Sequence, residues 1–277
     1  MFITRFAPSP TGPLHLGHAF SAMLAHDMAR AANGTFLLRI DDLDETRSRP
    51  EWEDQICDDL TWLGLSWPTP VLHQSTRLPR YREALTTLWA QGLLYPCSCS
   101  RRDIRAAATA PQEGAPLHGP DGLIYPGTCR PATPPTGPMP QDTALRLDMN
   151  RACRTLATPL TYNEKGETVT PQNLPATVGD VVLARRDIGA SYHLSVVIDD
   201  ADQTITHVIR GQDLQDATQI HVLLQHLLGL PTPAYHHHRL IRDAQGKRLA
   251  KRDDARAIAT YRADGASPQD IRELVGL

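Results

Sequence analysis

The chain has no run of about 18 apolar residues, so no membrane-spanning helix is expected. It has no charged leader followed by an apolar stretch: Met1-Phe2-Ile3-Thr4-Arg5 reads straight into a strand, and a cytoplasmic protein is the expectation. It lacks a basic excess. With 28 Lys and Arg against 31 Asp and Glu the net charge is −3 and the pI is near 6.4, which excludes a protein that coats nucleic acid non-specifically. A nucleic-acid partner would have to meet a local basic patch, and two are present: Arg101-Arg102-Asp103-Ile104-Arg105, and Lys247-Arg248 with Lys251-Arg252. Cysteine is scarce and odd in number, at five, so a disulfide framework is not expected. No internal repeat is visible. The 277 residues, 41% of them hydrophobic, suffice for one large core with an insertion or for two closely joined domains.

The N-terminal forty residues carry the clearest local pattern. Residues 2–6 read as a short buried strand. Ala7-Pro8-Ser9-Pro10-Thr11-Gly12-Pro13 cannot be helical, because its prolines fix φ and remove donors. From Leu14 to about Ala32 the apolar spacing is helical, and Asn33-Gly34 stops it. Thr35–Ile40 is a second apolar strand, so the segment is a βαβ unit and a parallel sheet is expected. Helices are predicted at 50–63, 77–91 and 214–228, with strands at 144–147, 181–184 and 206–209. Nine of the 23 prolines fall between 111 and 140, where little regular structure can form and a staple would be needed for order.

The chemistry concentrates where the proline-stiffened loop meets the helix, at Leu14-His15-Leu16-Gly17-His18. A helix N-terminus after a parallel strand offers N–H groups and partial positive charge to phosphates. His15 and His18, three apart, share one face and could donate hydrogen bonds to a triphosphate as charge shifts. Gly17 leaves room for a flat base. Three cysteines, Cys97, Cys99 and Cys129, lie in one region as thiolate candidates for structural zinc; His118 and Tyr125 are the candidates for a fourth ligand, and generic chemistry favours His118. Cys57 and Cys153 stand apart as small hydrophobes.

The loop from Arg5 to His18 resembles the HIGH signature of class I aminoacyl-tRNA synthetases, in the form used by the glutamyl and glutaminyl members. Gly246-Lys247-Arg248-Leu249-Ala250-Lys251-Arg252 is similar to the family's KMSKS loop, with Arg248 at the first lysine, Ala250 at the serine and Lys251 at the second lysine. Arg39-Ile40-Asp41-Asp42-Leu43-Asp44 resembles the R-I-E-D-x-D segment, with Asp41 one methylene (about 1.5 Å) shorter than the usual glutamate. Residues 190–200 and 208–214 resemble two further stretches of the core. The resemblance implies an α/β fold: a Rossmann-like parallel sheet, a zinc-stapled insertion, a short C-terminal KMSKS-bearing helical segment and no anticodon-binding domain. It implies the division 1–96 and 176–235 (the two halves of the catalytic domain), 97–175 (the insertion) and 236–277 (KMSKS loop and C-terminal helices).

The same resemblance implies that Pro8, His15, Gly17, His18, Arg248 and Lys251 hold ATP, with His15, His18 and Lys251 catalytic. It places glutamate among Arg5, Ala7, Ser9, Asp41, Tyr192 and Arg210. It makes Cys97, Cys99, Tyr125 and Cys129 the ligands of one structural Zn²⁺, because the glutamyl-queuosine subgroup carries C-x-C and then Y-x-x-x-C. Only 26 residues follow Lys251 (277 − 251), which matches that subgroup. Its members attach glutamate to the queuosine base in the anticodon loop of tRNA(Asp). L-Glutamate, ATP with Mg²⁺ and queuosine-bearing tRNA(Asp) are then the expected partners of a monomer. The competing readings are a minimal glutamyl-tRNA synthetase charging a tRNA 3′ end, a nucleotidylyltransferase acting on a small molecule, and a non-catalytic tRNA-binding paralogue.

Overall fold

A computed structural model of the chain describes residues 1–108, 117–242 and 256–277. In chain order the helices and longer strands begin with β1 (Ile3–Phe6), α1 (Leu16–Ala31), β2 (Thr35–Ile40), α2 (Pro50–Trp62), β3 (Leu72–His73), α3 (Leu78–Ala90), β4 (Leu94–Cys97) and α4 (Arg101–Ala108). Two short strands, β5 (His118–Gly119) and β6 (Gly122–Leu123), precede β7 (Ala144–Leu147), α5 (Met149–Arg154), β8 (Tyr162–Glu164), β9 (Glu167–Val169), α6 (Leu174–Thr177) and β10 (Val182–Ala184). The chain continues through α7 (Tyr192–Asp202), β11 (His207–Gly211), α8 (Thr218–Leu227), β12 (Ala234–His238), α9 (Ile258–Ala263) and α10 (Pro268–Val275).

The chain divides into two units. The first comprises Met1–Thr76, Thr204–Asp213 and Pro233–Leu277. Its strands form parallel ladders β1–β2–β3 and β11–β12, and Thr206 joins them by donating its N–H to the Ile3 carbonyl at 2.9 Å. Parallel strands need crossovers, and α1 supplies the first. Its buried face (Ala19, Phe20, Ala22, Met23) meets Phe6, Leu38 and Ile40 in one apolar core, which also takes in Ile209, Ile258, Ile271 and Val275. The βαβ unit starts and stops as its sequence dictates. His15 caps α1, so the helix begins two residues later than the apolar spacing suggested; at the other end Asn33 takes a left-handed φ of 49°. Gly34 follows because an added Cβ would stand 2.1 Å from the Phe2 carbonyl oxygen.

One residue of this unit is out of keeping with its surroundings. Asp59 on α2 is fully buried, and neither carboxylate oxygen has a hydrogen-bond partner among the described residues. Desolvation, reinforced by the charge of Asp58, pushes its carboxyl up to about 6.

The second unit comprises Arg77–Gln203 and Leu214–Thr232. Its sheet is the antiparallel ladder β10–β7–β4. Helices α3, α7 and α8 pack together; Arg77 and Tyr81 bind the buried Asp199 carboxylate at 2.7 and 2.8 Å. β8 and β9 form a hairpin that turns at Lys165-Gly166, both with positive φ. The proline-rich stretch holds only β5 and β6 among its described residues. Beside it lies a buried polar knot. Asp180 receives the Tyr95 hydroxyl, Arg130 Nε at 2.6 Å and the Met149 N–H at 2.9 Å, while Arg146 binds its carbonyl at 2.8 Å. Both oxygens of that carboxylate have donors, two on Oδ2 and one on Oδ1, which is the condition for burying a charge. Among the described residues no helix is long and apolar enough to cross a membrane.

Candidate functional site

The first candidate region is the head of α1. His15 is the N-cap residue, with extended backbone (φ −121°, ψ 174°), and its Nδ1 accepts the Gly17 N–H at 3.1 Å. His18, at the third helical position, reaches back so that its Nδ1 accepts the His15 N–H at 3.2 Å. The two imidazoles thus build the reciprocal arrangement that Ser and Glu form in an ordinary capping box. Their rings stack with centroids 3.7 Å apart and planes 23° from parallel. A neutral ring whose Nδ1 accepts an N–H carries its own proton on Nε2. Both Nε2 atoms are therefore donors.

Gly17 lies between them for a reason the sequence did not disclose. An added Cβ would stand 3.0 Å from His15 Cε1 and 3.1 Å from its Nδ1, so the missing side chain makes room for the His15 ring itself.

The preceding loop is tied to the acidic strand end. Asp41 donates its N–H to the Pro8 carbonyl at 3.0 Å, and Arg49 donates to that of Pro10 at 3.0 Å. Ala7 is half-buried and Ser9 exposed. The three acids after β2 have different partners. Asp41 accepts Arg39 Nε at 2.9 Å; Asp42 holds the Ser75 N–H and hydroxyl at 2.8 and 2.6 Å; Asp44 holds Thr46 and Arg47, both at 2.6 Å. Arg39, fully buried, was not among the residues singled out from sequence, although it stands two residues before the acidic run.

Arg5 in β1 and Arg210 in β11 are 5% and 6% exposed, so two guanidinium groups are buried in the parallel sheet near the carboxyl ends of its strands. That is the edge at which open α/β sheets take ligands. Arg210 Nε donates to His237 Nε2 at 3.1 Å, and its guanidinium lies 5.3 Å from the centre of the Tyr235 ring. Arg248 and Lys251 fall outside the described residues, but the chain returns to the head of α1 soon after them. Ala257 pairs with His15, and Ile258 donates its N–H to the Leu14 carbonyl at 2.9 Å.

Tyr192 belongs to the second unit, where it is the first residue of α7 and 41% exposed. Its ring lies against His193 and His221, with centroids 5.6 and 5.8 Å away. His193 bridges His221 (3.1 Å) and Asp121 (3.2 Å), a buried histidine pair that no spacing in the sequence announces.

The thiol cluster also lies in the second unit. The sulfurs of Cys97, Cys99 and Cys129 all lie within 4.8 Å of one another, and those of Cys99 and Cys129 are 3.4 Å apart. Four ligands held about 2.3 Å from a tetrahedral zinc stand about 3.8 Å from each other. Tyr125 Oη lies against the cluster: it is 3.5 Å from Cys97 Sγ and 3.4 Å from Cys99 Sγ, and it accepts the Cys129 N–H at 2.7 Å. His118 is exposed at the start of β5 and is not part of the group.

Arg146 supports both sides of this cluster. It donates to Cys97 Sγ at 3.2 Å and lies 3.8 Å over the Tyr125 ring. The hydrogen bond with Tyr125 holds the Cys129 thiol down to about 6, a state fit for metal. Cys57 and Cys153 are instead pushed up by burial, as ordinary core thiols are.

The family profile described as "tRNA synthetases class I (E and Q), catalytic domain" matches residues 1–277. The chain is 63% identical over 282 residues to a glutamyl-Q tRNA(Asp) synthetase of Rhodobacter capsulatus, covering 99% of this chain and all of that protein. It is 43% identical to the protein of the same name from Symbiobacterium thermophilum, covering 98% of the chain and 84% of the relative. Among solved structures it superposes on a glutamate tRNA ligase from Elizabethkingia meningosepticum with a TM-score of 0.75 and 28% identity; all of this chain is covered, and it spans 60% of that enzyme's length. A Mycobacterium tuberculosis methionyl-tRNA synthetase, 12% identical with a TM-score of 0.62, shares the fold. Together with the parallel βαβ sheet and the capped histidine pair, these matches give the class I synthetase catalytic fold and a ligase of the aminoacyl-tRNA synthetase type. The chain belongs to the class I glutamyl and glutaminyl tRNA synthetase family, as its catalytic domain.

Proposed function

We propose that the chain activates L-glutamate with ATP, without needing tRNA for that step, and transfers the glutamyl group to the queuosine base in the anticodon loop of tRNA(Asp). The observation that carries the activation step is the histidine capping box: two Nε2–H donors fixed side by side at a helix N-terminus suit a polyphosphate that gains charge during reaction. The choice of acceptor is supported by the names of the similar proteins from R. capsulatus and S. thermophilum.

In this reading a glutamate α-carboxylate oxygen attacks the α-phosphorus of ATP, and the bond to pyrophosphate breaks. His15, His18 and Lys251 steady the phosphates, with Mg²⁺ carried in by ATP; Pro8, Gly17 and Arg248 border the nucleotide. Positioning and charge neutralisation supply most of the rate. Arg5 grips the glutamate side-chain carboxylate, a pairing that a guanidinium fork suits, and Arg210 faces the glutamate. Asp41 holds the α-ammonium, while Ala7, Ser9 and Tyr192 complete the pocket. A hydroxyl of the queuosine cyclopentene ring then attacks the activated carbonyl and AMP leaves. No protein nucleophile is required.

Cys97, Cys99, Tyr125 and Cys129 would hold one structural Zn²⁺, which supplies local order and no chemical step. Residues 1–96 and 176–235 serve as the catalytic halves, 97–175 as the insertion and 236–277 as the loop-bearing segment of a cytoplasmic monomer.

The test is ATP–pyrophosphate exchange against all twenty amino acids, followed by transfer of labelled glutamate to tRNA(Asp) lacking its 3′ adenosine. Exchange with glutamate and continued labelling are expected. No exchange would end the activation claim, and labelling lost with the terminal adenosine would mean a 3′-end synthetase.

A further inference from the structure

One motif of the sequence has no part in the reaction described above: the basic helix α4. It starts directly after the Cys97-Ser98-Cys99 corner, and its one substantial apolar residue, Ile104, packs against the Tyr95, Cys97 and Tyr125 cluster. Eight residues are too few to hold a helix in water, so α4 depends on its packing against that corner. Its single acid is spent internally. Asp103 Oδ2 accepts the Ser100 N–H at 2.8 Å and the Ser100 hydroxyl at 2.7 Å, and Ser100 Oγ in turn accepts the Asp103 N–H at 3.2 Å.

Arg101, Arg102 and Arg105 are left. All three are exposed, and none has a hydrogen bond or ion pair among the described residues. In the same unit Arg77, Arg80, Arg130, Arg151 and Arg185 each hold a carboxylate, while Arg82, Arg154 and Arg186 are exposed singly; among the described residues only α4 gathers three such arginines within five residues. Spacings of three and four residues put Arg105 beside both Arg102 and Arg101 on the helix surface. Two of the three also sit in the first turn, where the helix dipole disfavours cations. Helix stability therefore does not explain them.

We infer that the arginine face of α4 is a docking surface for the phosphodiester backbone of folded RNA, which in the function proposed above is the substrate tRNA. Charge complementarity is the argument. The chain carries a net charge of −3 and so repels a polyanion as a whole; binding has to be won by a local cluster of cations that no acid neutralises. Guanidinium groups suit phosphate oxygens better than ammonium groups do, because the planar fork donates two hydrogen bonds at once. The anchored helix presents the three forks at fixed spacing, which limits the order lost on binding. The contacts carry no base readout, so they set position and affinity while specificity is decided elsewhere.

The inference depends on the proposed substrate, and the test separates the two. Binding of tRNA to the full chain is measured by filter retention across salt concentrations, for wild type and for R101A/R102A/R105A. Glutamate-dependent ATP–pyrophosphate exchange without tRNA is measured in parallel. The triple variant is expected to exchange like wild type, to bind tRNA roughly tenfold or more weakly at 0.1 M salt, and to lose about one unit of log–log salt slope per arginine. R101K/R102K/R105K is expected to recover most of the slope. Equal affinity and slope in wild type and triple variant would overturn the docking surface even if exchange is normal. A wild type that binds tRNA through these arginines but fails exchange would overturn the proposed reaction and leave the surface standing. If the triple variant loses metal or folds poorly, R101A, R102A and R105A are measured singly, each expected to lower the slope by about one. Poly-glutamate is expected to compete at least tenfold more weakly than tRNA; equal competition would mean that the face takes acidic polypeptide, and would overturn the RNA assignment.

Discussion

At the head of α1 the chemical groups come from one turn of chain, residues 15–18, and the backbone orients them: each imidazole is held by an N–H of its own helix end. In the thiol cluster the groups come from segments about thirty residues apart, 97–99 and 125–129, and side chains orient them, with Arg146 on one sulfur and Tyr125 against all three cysteines. The first arrangement stands or falls with local helix geometry. The second needs the β4–β7 ladder, the Asp180 knot and the chain after β6 to be in place together. Damage to the first should therefore show in activity, and damage to the second in stability and metal retention.

The largest effect is expected from Asp180→Ala. It strands the Tyr95 hydroxyl, the Met149 N–H and Arg130 around an empty site beside Cys129, and should cost about 3 to 5 kcal/mol in denaturant unfolding. A loss under 1 kcal/mol would show that the knot does not support the cluster. Next comes His15→Ser. Serine is a good N-cap, so stability should hold within about 0.5 kcal/mol, while loss of the Nε2 donor lowers glutamate-dependent exchange by roughly 10²- to 10³-fold. If His15→Ser keeps wild-type exchange, the histidine is a cap and nothing more.

Tyr125→Phe keeps the ring under Arg146 but removes the oxygen. Zinc affinity, read by competition with a chromogenic chelator, should fall by at least about 10- to 100-fold, the loss that removing even an outer-shell partner of a metal ligand brings. Unchanged affinity would remove Tyr125 from the ligand set.

The smallest effect should come from Asp59→Asn. The Asp59 carboxyl is raised to about 6 in the folded chain against a usual value near 3.9, so the native state holds the proton more tightly than the unfolded one. Its contribution is favourable below pH 4 and is lost as pH rises through 6. Because the buried amide would itself lack a partner, the variant should be more stable than wild type by only about 1 kcal/mol at pH 7, with the two curves converging near pH 4. Parallel curves across that range would show that Asp59 is not a buried charge.

The same contrast governs how much the sequence disclosed. The βαβ unit was legible almost to the residue because its signals are local: prolines that forbid helix, a 3.6-residue apolar repeat, and Asn33-Gly34 at the stop. His15 and His18 were legible as a pair, but not as each other's caps, because the capping role depends on rotamers that spacing does not specify. Cys97, Cys99 and Cys129 were visible by residue type. The choice between Tyr125 and His118 depends on how the proline-rich chain returns, and no periodicity encodes that path. The Asp180 knot, the Asp121–His193–His221 chain and the Arg39–Asp41 pair were missed. The first two join residues from 28 to 85 positions apart, and a lone Asp or His looks the same in sequence whether buried or solvated. Arg39 is only two residues from Asp41, yet nothing in the pattern showed it to be fully buried. α7 was read only as a stretch of the family core, since a helix buried along most of its length has no polar stripe to mark its period.

The histidine capping box has one further consequence. An imidazole carries two nitrogens, one on each side of Cε1, so a ring that grips its own chain through Nδ1 keeps an Nε2–H to offer to another acceptor. Serine and asparagine can do the first here but are too short for the second; lysine can reach but has nothing with which to accept. Winding the first turn of α1 and orienting the two rings are consequently the same event, and a chain whose helix has frayed at that end holds neither imidazole in place.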